Sequence, residues 1–156
     1  MSSITELKER VNTKTWNLVL LAVATAGLYP LLWLWQNHTI IDQVTQRQTA
    51  NTTYLIWLAV CIGWGGALGN TGDNALILIG SLLSLAGAVL YIVWAFRARA
   101  ALQEYALNEH KIDLRMNGFY TFIFNVYYIN YCINDLPEAL RKQQILQGKT
   151  QTTTVC

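Results

Sequence analysis

The sequence predicts an all-α, polytopic integral membrane protein, and three observations predict it. Of 156 residues, 53% are hydrophobic and only 13% are charged. A soluble domain carries about 25% charged residues, so the shortfall decides the class. The charges are gathered between apolar runs instead of being spread through them. Four such runs occur, at about 15–37, 53–69, 75–96 and 119–133. At 1.5 Å per residue, roughly 20 residues cover a ~30 Å hydrocarbon core. The expectation is one membrane domain over residues 1–148 and a disordered tail over 149–156.

Ser3-Ile4-Thr5-Glu6 has the pattern of a capping box, in which a hydroxyl and a carboxylate satisfy the first free N–H groups of a helix. Ile4, Leu7 and Val11 then share one stripe, with Lys8 and Arg10 mostly off it. That predicts a short amphipathic helix at the membrane surface. Residues Met1 to Val11 lack the apolar core and small-residue cleavage site of a secretory signal, so the first apolar run is expected to act as its own insertion signal.

The first run carries Gly27 and Pro30 close together, with Thr25, Tyr29 and Trp33 around them. Proline removes a helical donor, and a break at membrane depth persists only where neighbours re-satisfy the backbone. The run is therefore a broken helix. It either crosses or turns back at Gly27, each half being about ten residues.

The second run holds two interleaved small-residue series, Ala59-Gly63-Ala67 and Cys61-Gly65-Gly69. The third offers Gly80, Ser84 and Ala88, and Asn70-Thr71-Gly72-Asp73-Asn74 is a turn between them. Small residues four apart let helix backbones approach. The two runs are expected to form a tight antiparallel hairpin packed through Ala59, Gly63, Gly65, Gly69, Gly80 and Ser84. The third helix continues past Arg97 and Arg99 to about Glu109.

The fourth run is only about 15 residues, against the roughly 20 that a crossing needs, and it contains Asn125, Asn130 and four tyrosines. Asp135-Leu136-Pro137-Glu138 reads as a fresh helix start: an Asp cap, Pro in the first turn and Glu at the box position. Glu138 and Lys142 are placed for an i,i+4 ion pair, and Gly148 is the expected stop.

Lys and Arg number three before the first run, one after it, none in the Asn70–Asn74 turn, four after the third run and three after the fourth. Four ordinary crossings would put the rich third link opposite both termini, against the positive-inside rule. If the first and fourth runs dip in and return, all eleven positive residues fall on the cytoplasmic side, with both termini. A faint repeat agrees: Gly27-Leu28-Tyr29 aligns with Asn125-Val126-Tyr127, and Trp33 with Tyr131. Gly and Asn best accept the left-handed backbone that a turn requires.

Thr25-Ala26-Gly27-Leu28-Tyr29-Pro30 with Trp33 has the form T-x-G-x-Y-x-x-x-W. With Trp94-Ala95-Phe96-Arg97-Ala98-Arg99, Leu102, and Tyr128-Ile129-Asn130-Tyr131 before Ile133-Asn134, it resembles the bacterial domain of unknown function 4234 family. The likeness is scattered over most of residues 15 to 140. It implies a bacterial inner-membrane protein and supplies no activity.

The residues offer little chemistry. His38 and His110 have no second ligand at metal spacing. Cys61, Cys132 and Cys156 form neither a metal pattern nor an even disulfide set. No phosphate loop and no nucleophile motif is present, and no basic stretch is dense enough for nucleic acid. The chain is expected to be no enzyme, with no cofactor, metal or nucleic-acid partner. The leading expectation is an assembly module that binds another membrane protein or its own copies. A small oligomeric channel or transporter, with Asn125 and Asn130 lining a path, is the first alternative. A lipid- or curvature-associated protein is the second. Arg97 and Arg99 are the expected anchors at lipid headgroups.

Overall fold

The computed structural model describes residues 3–152, with side chains over 5–146. Among these residues all regular structure is helical: α1 (Ser3–Val11), α2 (Thr15–Ala24), α3 (Tyr29–Thr45), α4 (Thr52–Leu68), α5 (Asn74–His110) and α6 (Gly118–Thr152).

The 37 residues of α5 make a spine roughly 55 Å long at 1.5 Å per residue. Its start is capped by Asp73, whose carboxylate accepts from Ala75 N at 2.8 Å. α4 is capped by Asn51, whose Oδ1 accepts from Tyr54 N at 2.7 Å. The first half of α5 pairs antiparallel with α4, and the Tyr54 hydroxyl donates to the Leu90 carbonyl across the pair. Among the described residues α5 is the one helix long and apolar enough to cross a membrane; α4 is apolar but shorter. Only 11% of the most apolar 18-residue stretch of α5 is buried, so the chain itself does not cover it.

The second half of α5 is the reverse. Trp94, Ala98, Ala101, Leu102 and Tyr105 recur at helical spacing and are buried. All of them but Ala101 join one core with Leu7, Leu34, Ile41, Ile129, Ile133 and Leu136 from α1, α3 and α6.

Both flanking runs turn back on themselves. Were α2 and α3 in line, Gln43 would lie roughly 40 Å from Thr15. Instead Arg10 donates to Gln43 Oε1 at 3.4 Å, so α3 returns to the level of α1. In α6 the backbone leaves helical geometry at Asn125. In-line arms would separate Asn117 and Tyr128 by roughly 16 Å, yet Asn117 N–H donates to the Tyr128 hydroxyl at 3.0 Å. Further down, the Asn134 amide donates to Thr13 O at 2.9 Å and the Gln143 amide to Lys111 O at 3.2 Å. The chain therefore does not run as four rods in series. α1, the 46–51 link, the 111–117 link and the long arm of α6 gather at one end of α5, opposite the 69–73 turn.

Three expectations need correction. The apolar stripe of α1 does not face outward: Leu7 and Val11 are buried within the core. No helix begins at Asp135, because the arm from residue 126 runs through Pro137 without a break. A proline in a helix forfeits one bond, at a cost of about 3 kcal/mol; buried Ile133 and Leu136, in the turn just before it, clamp the arm. Gly148 is not a stop, since α6 continues to Thr152, and of the expected disordered tail residues 153–156 lie outside the described residues. Beyond Pro137 the i,i+4 pair is made: Lys142 Nζ meets Glu138 Oε1 at 2.8 Å. That bond holds the Glu138 carboxyl below, and the Lys142 ammonium above, their ordinary ranges.

Candidate functional site: the two breaks and the faces of the central hairpin

The first break is built by Thr25. Its hydroxyl donates to the Leu21 carbonyl at 2.7 Å, closing α2. The same oxygen accepts from Tyr29 N–H at 2.9 Å, opening α3. One side chain thus serves a helix end and a helix start. Between them Ala26 (φ +50°) and Gly27 (φ +88°) are left-handed. Ala26 N–H reaches Val23 O at 3.2 Å and Gly27 N–H reaches Ala22 O at 2.7 Å, the paired bonds of a Schellman ending. The position that usually takes glycine is filled here by Ala26. Pro30 then sits in the first turn of α3, where a missing donor costs nothing. Tyr29 is half-buried and Trp33 buried, the latter edge-on to Trp94 with centroids 6.4 Å apart. The five residues of the first-break motif thus act together, seating the return arm on α5.

The second break falls at Asn125, with φ +40° and ψ −114°, a strained region for any side chain. The sequence repeat locates both turns but not the side chains after them. Trp33 is buried against α5, whereas its counterpart Tyr131 is exposed.

Asn125 and Asn130 do not stand alike. The Asn130 amide donates to Thr13 O at 3.0 Å and Thr15 Oγ1 at 3.2 Å, tying α6 to the start of α2. Neighbouring Asn134, which the composition did not single out, shares the same carbonyl. Oδ1 of Asn125 and of Asn130 are buried without a partner, as are Trp33 Nε1, Trp94 Nε1 and the Tyr91 hydroxyl.

The small residues divide between two faces. A Cβ built on Gly80 would lie 2.8 Å from Gly69 N and 3.0 Å from Gly65 O. One built on Gly65 would lie 2.9 Å from Ser84 N. Gly65, Gly69, Gly80 and Ser84 therefore form the seam. Gly63 does not: a Cβ there would meet nothing within 4 Å. Ala59 and Gly63 instead line an outer groove with Ala67, Trp35, Ile56 and Trp64. Residues two apart on a helix point to opposite sides, so one series meets α5 and the other is left open.

The two arginines also part. Arg97 is exposed and lies over the Tyr54 ring, 5.7 Å from its centroid. Arg99 turns inward, donating from Nε and Nη2 to the Met116 carbonyl at 3.1 and 2.8 Å. Those two bonds tie it to the entry of the second hairpin. A pair the sequence did not signal joins Arg47 after α3 to Glu104 on α5; 57 residues separate them, and no local spacing announces such a contact. Cys61 and Cys132 are buried free thiols. Among the described residues no three of His, Cys, Asp and Glu come together as a metal site would require.

Residues 13–104 match the family model described as Domain of unknown function (DUF4234). The match takes in more than half of the chain, and the chain belongs to that family. Neither the curated proteins nor the solved structures contain a match.

Proposed function

We propose that this member of the DUF4234 family is a multi-pass protein of the bacterial inner membrane with no catalytic activity, whose role is to hold another membrane protein or a second copy of itself. On this reading α4 and α5 cross the bilayer. The two hairpins dip into one leaflet from the cytoplasmic side, and both termini lie in the cytoplasm. The placement is supported by charge: Lys8, Arg10, Arg47, Arg99 and Arg115 all stand at the end of α5 away from the 69–73 turn, as cytoplasmic residues do. It is supported too by bare apolar side chains on α4 and α5, among them Trp57, Leu78, Leu82 and Leu85, too many to leave in water. Reporter cysteines replacing Gln48 and Asp113, in a background without the native thiols, should label from the cytoplasm, and one replacing Gly72 from the opposite side. Labelling of Gln48→Cys from the outer side would defeat the placement.

The assembly role rests on one observation: the Ala59-Gly63-Ala67 face of α4 points away from α5 and lies open between tryptophans. In a bilayer, faces of small residues join helices, because close backbones gain dispersion contacts that lipid chains do not match. Copies carrying Ala67→Cys, or that variant and a partner, should cross-link in membranes, and adding Gly63→Trp should abolish the cross-link. Cross-linking that ignores Gly63→Trp would remove this face from the role.

A second reading is favoured by the gathering of both hairpins at one end of the hairpin pair. An added cross-section in one leaflet alone acts as a wedge, so the protein would prefer or generate curved membrane. Purified protein in liposomes should then shrink or tubulate them; unchanged vesicle size sets this reading aside. No comparable observation favours a channel, since the Asn130 amide is already committed to Thr13 and Thr15.

A further inference from the structure

We infer that Arg47 and Arg97 together form a binding site for the phosphate of an anionic phospholipid, whose acyl chains lie along α5. This rests on the membrane placement above but goes beyond it, because it names a ligand and the residues that take it. The two arginines line one groove of about 500 Å³ with Gln48, Ile92, Val93 and Phe96. Polar and apolar walls are separated along it. Arg47 and Gln48 come from the link after α3, brought there by the left-handed turn at Gln46 (φ +54°). Ile92, Val93 and Phe96 come from α5 on the side toward the bilayer.

The apolar wall does not stop at the groove. Phe96, Val93, Val89, Leu85, Leu82 and Leu78 follow one another at three- and four-residue steps and are all exposed. Those steps keep them on one face. A leaflet is about 15 Å deep, or roughly ten residues of helix. The stretch from Phe96 to about Leu85 is thus one acyl-chain length of bare track, ending at two guanidiniums. Free phosphate would use the arginines and leave the track unused.

The charges match one anion. Among the described residues Arg97 makes no ion pair, its guanidinium being held over Tyr54. Arg47 engages Glu104 through Nη1, and a guanidinium has five N–H donors. Two arginines against one carboxylate leave a single net positive charge, which suits a phosphodiester and has less to offer a zwitterionic headgroup.

The test uses full-length protein in mild-detergent micelles, with lipid binding read by native mass spectrometry. Phosphatidylglycerol should bind with one saturable site at least about tenfold tighter than phosphatidylcholine. Arg47→Gln with Arg97→Gln should erase that preference, while Arg115→Gln, outside the groove, should keep it. Equal binding of the two lipids overturns the inference, as does a preference that survives the double substitution. Displacement of the lipid by millimolar inorganic phosphate would show an adventitious anion site and overturn it as well. Should the double variant not fold, the wild-type comparison alone decides. Monodisperse protein without any detergent would instead defeat the membrane placement, so the two failures look different.

Discussion

Thr25→Val isolates the device that makes the first break. Valine keeps the branched shape and removes only the hydroxyl. Leu21 O would still accept from Thr25 N at 2.9 Å, so it is not orphaned. Tyr29 N–H, however, loses the Thr25 oxygen that takes its bond at 2.9 Å. In a lipid or micelle environment no water replaces that partner. An unpaired N–H costs about 1–3 kcal/mol. The expected loss is therefore about 2 kcal/mol, or roughly a 30-fold fall in the folded-to-unfolded ratio. Titration of micellar protein with a denaturing detergent, followed by far-ultraviolet circular dichroism, measures it. Thr25→Ser restores the oxygen and should stay within about 0.5 kcal/mol of wild type. If valine is as stable as threonine, or serine as damaging as valine, the hydroxyl does not hold the break and the argument for its role fails.

Other expectations follow from the same geometry. Gly80→Ala should destabilise by about 1–3 kcal/mol, since its Cβ must displace backbone atoms of α4. Gly66→Ala, with open space around it, should be neutral or add up to about 1 kcal/mol, because alanine favours helix. Ala26→Gly should stabilise by about 1 kcal/mol by relieving the left-handed backbone at φ +50°. The same detergent titration reads all three. Asn130→Leu and Asn134→Leu should each be mild, because the other amide still serves Thr13 O. The double variant should exceed their sum by about 1 kcal/mol, and simple additivity in a double-mutant cycle would show that the shared carbonyl is not what joins α6 to α2.

What the sequence made legible was the set of apolar runs and where they fail. Gly27 and Pro30 marked one break and Asn125 the other, because few residues accept the backbone required there. The direction of the chain after each break was not legible. A kinked rod and a hairpin use the same local residues, and contacts such as Arg10 with Gln43 choose between them. The stripe on α1 was ambiguous for a related reason: a protein groove and a membrane surface ask for the same pattern. Arg97 and Arg99, or Gly63 and Gly65, lie two positions apart and so face opposite ways. Local sequence says that one of each pair must turn inward; only the neighbouring helices say which. Pro137 misled because a proline signals a helix start most reliably where nothing else clamps the chain, and here Ile133 and Leu136 do.

The brevity of the turn between α4 and α5 bears on how the protein is made. Only five residues, 69–73, separate the two helices, and Asp73 is their sole charge. If this is all that emerges beyond the far headgroups, biogenesis has almost no hydrophilic chain to ferry. Insertion should then proceed as one concerted entry of a greasy pair, requiring an insertase but no ATP-driven translocation motor. In a cell-free reaction, full integration into vesicles that carry an insertase and lack the motor would be the corresponding result; a strict motor requirement would contradict it.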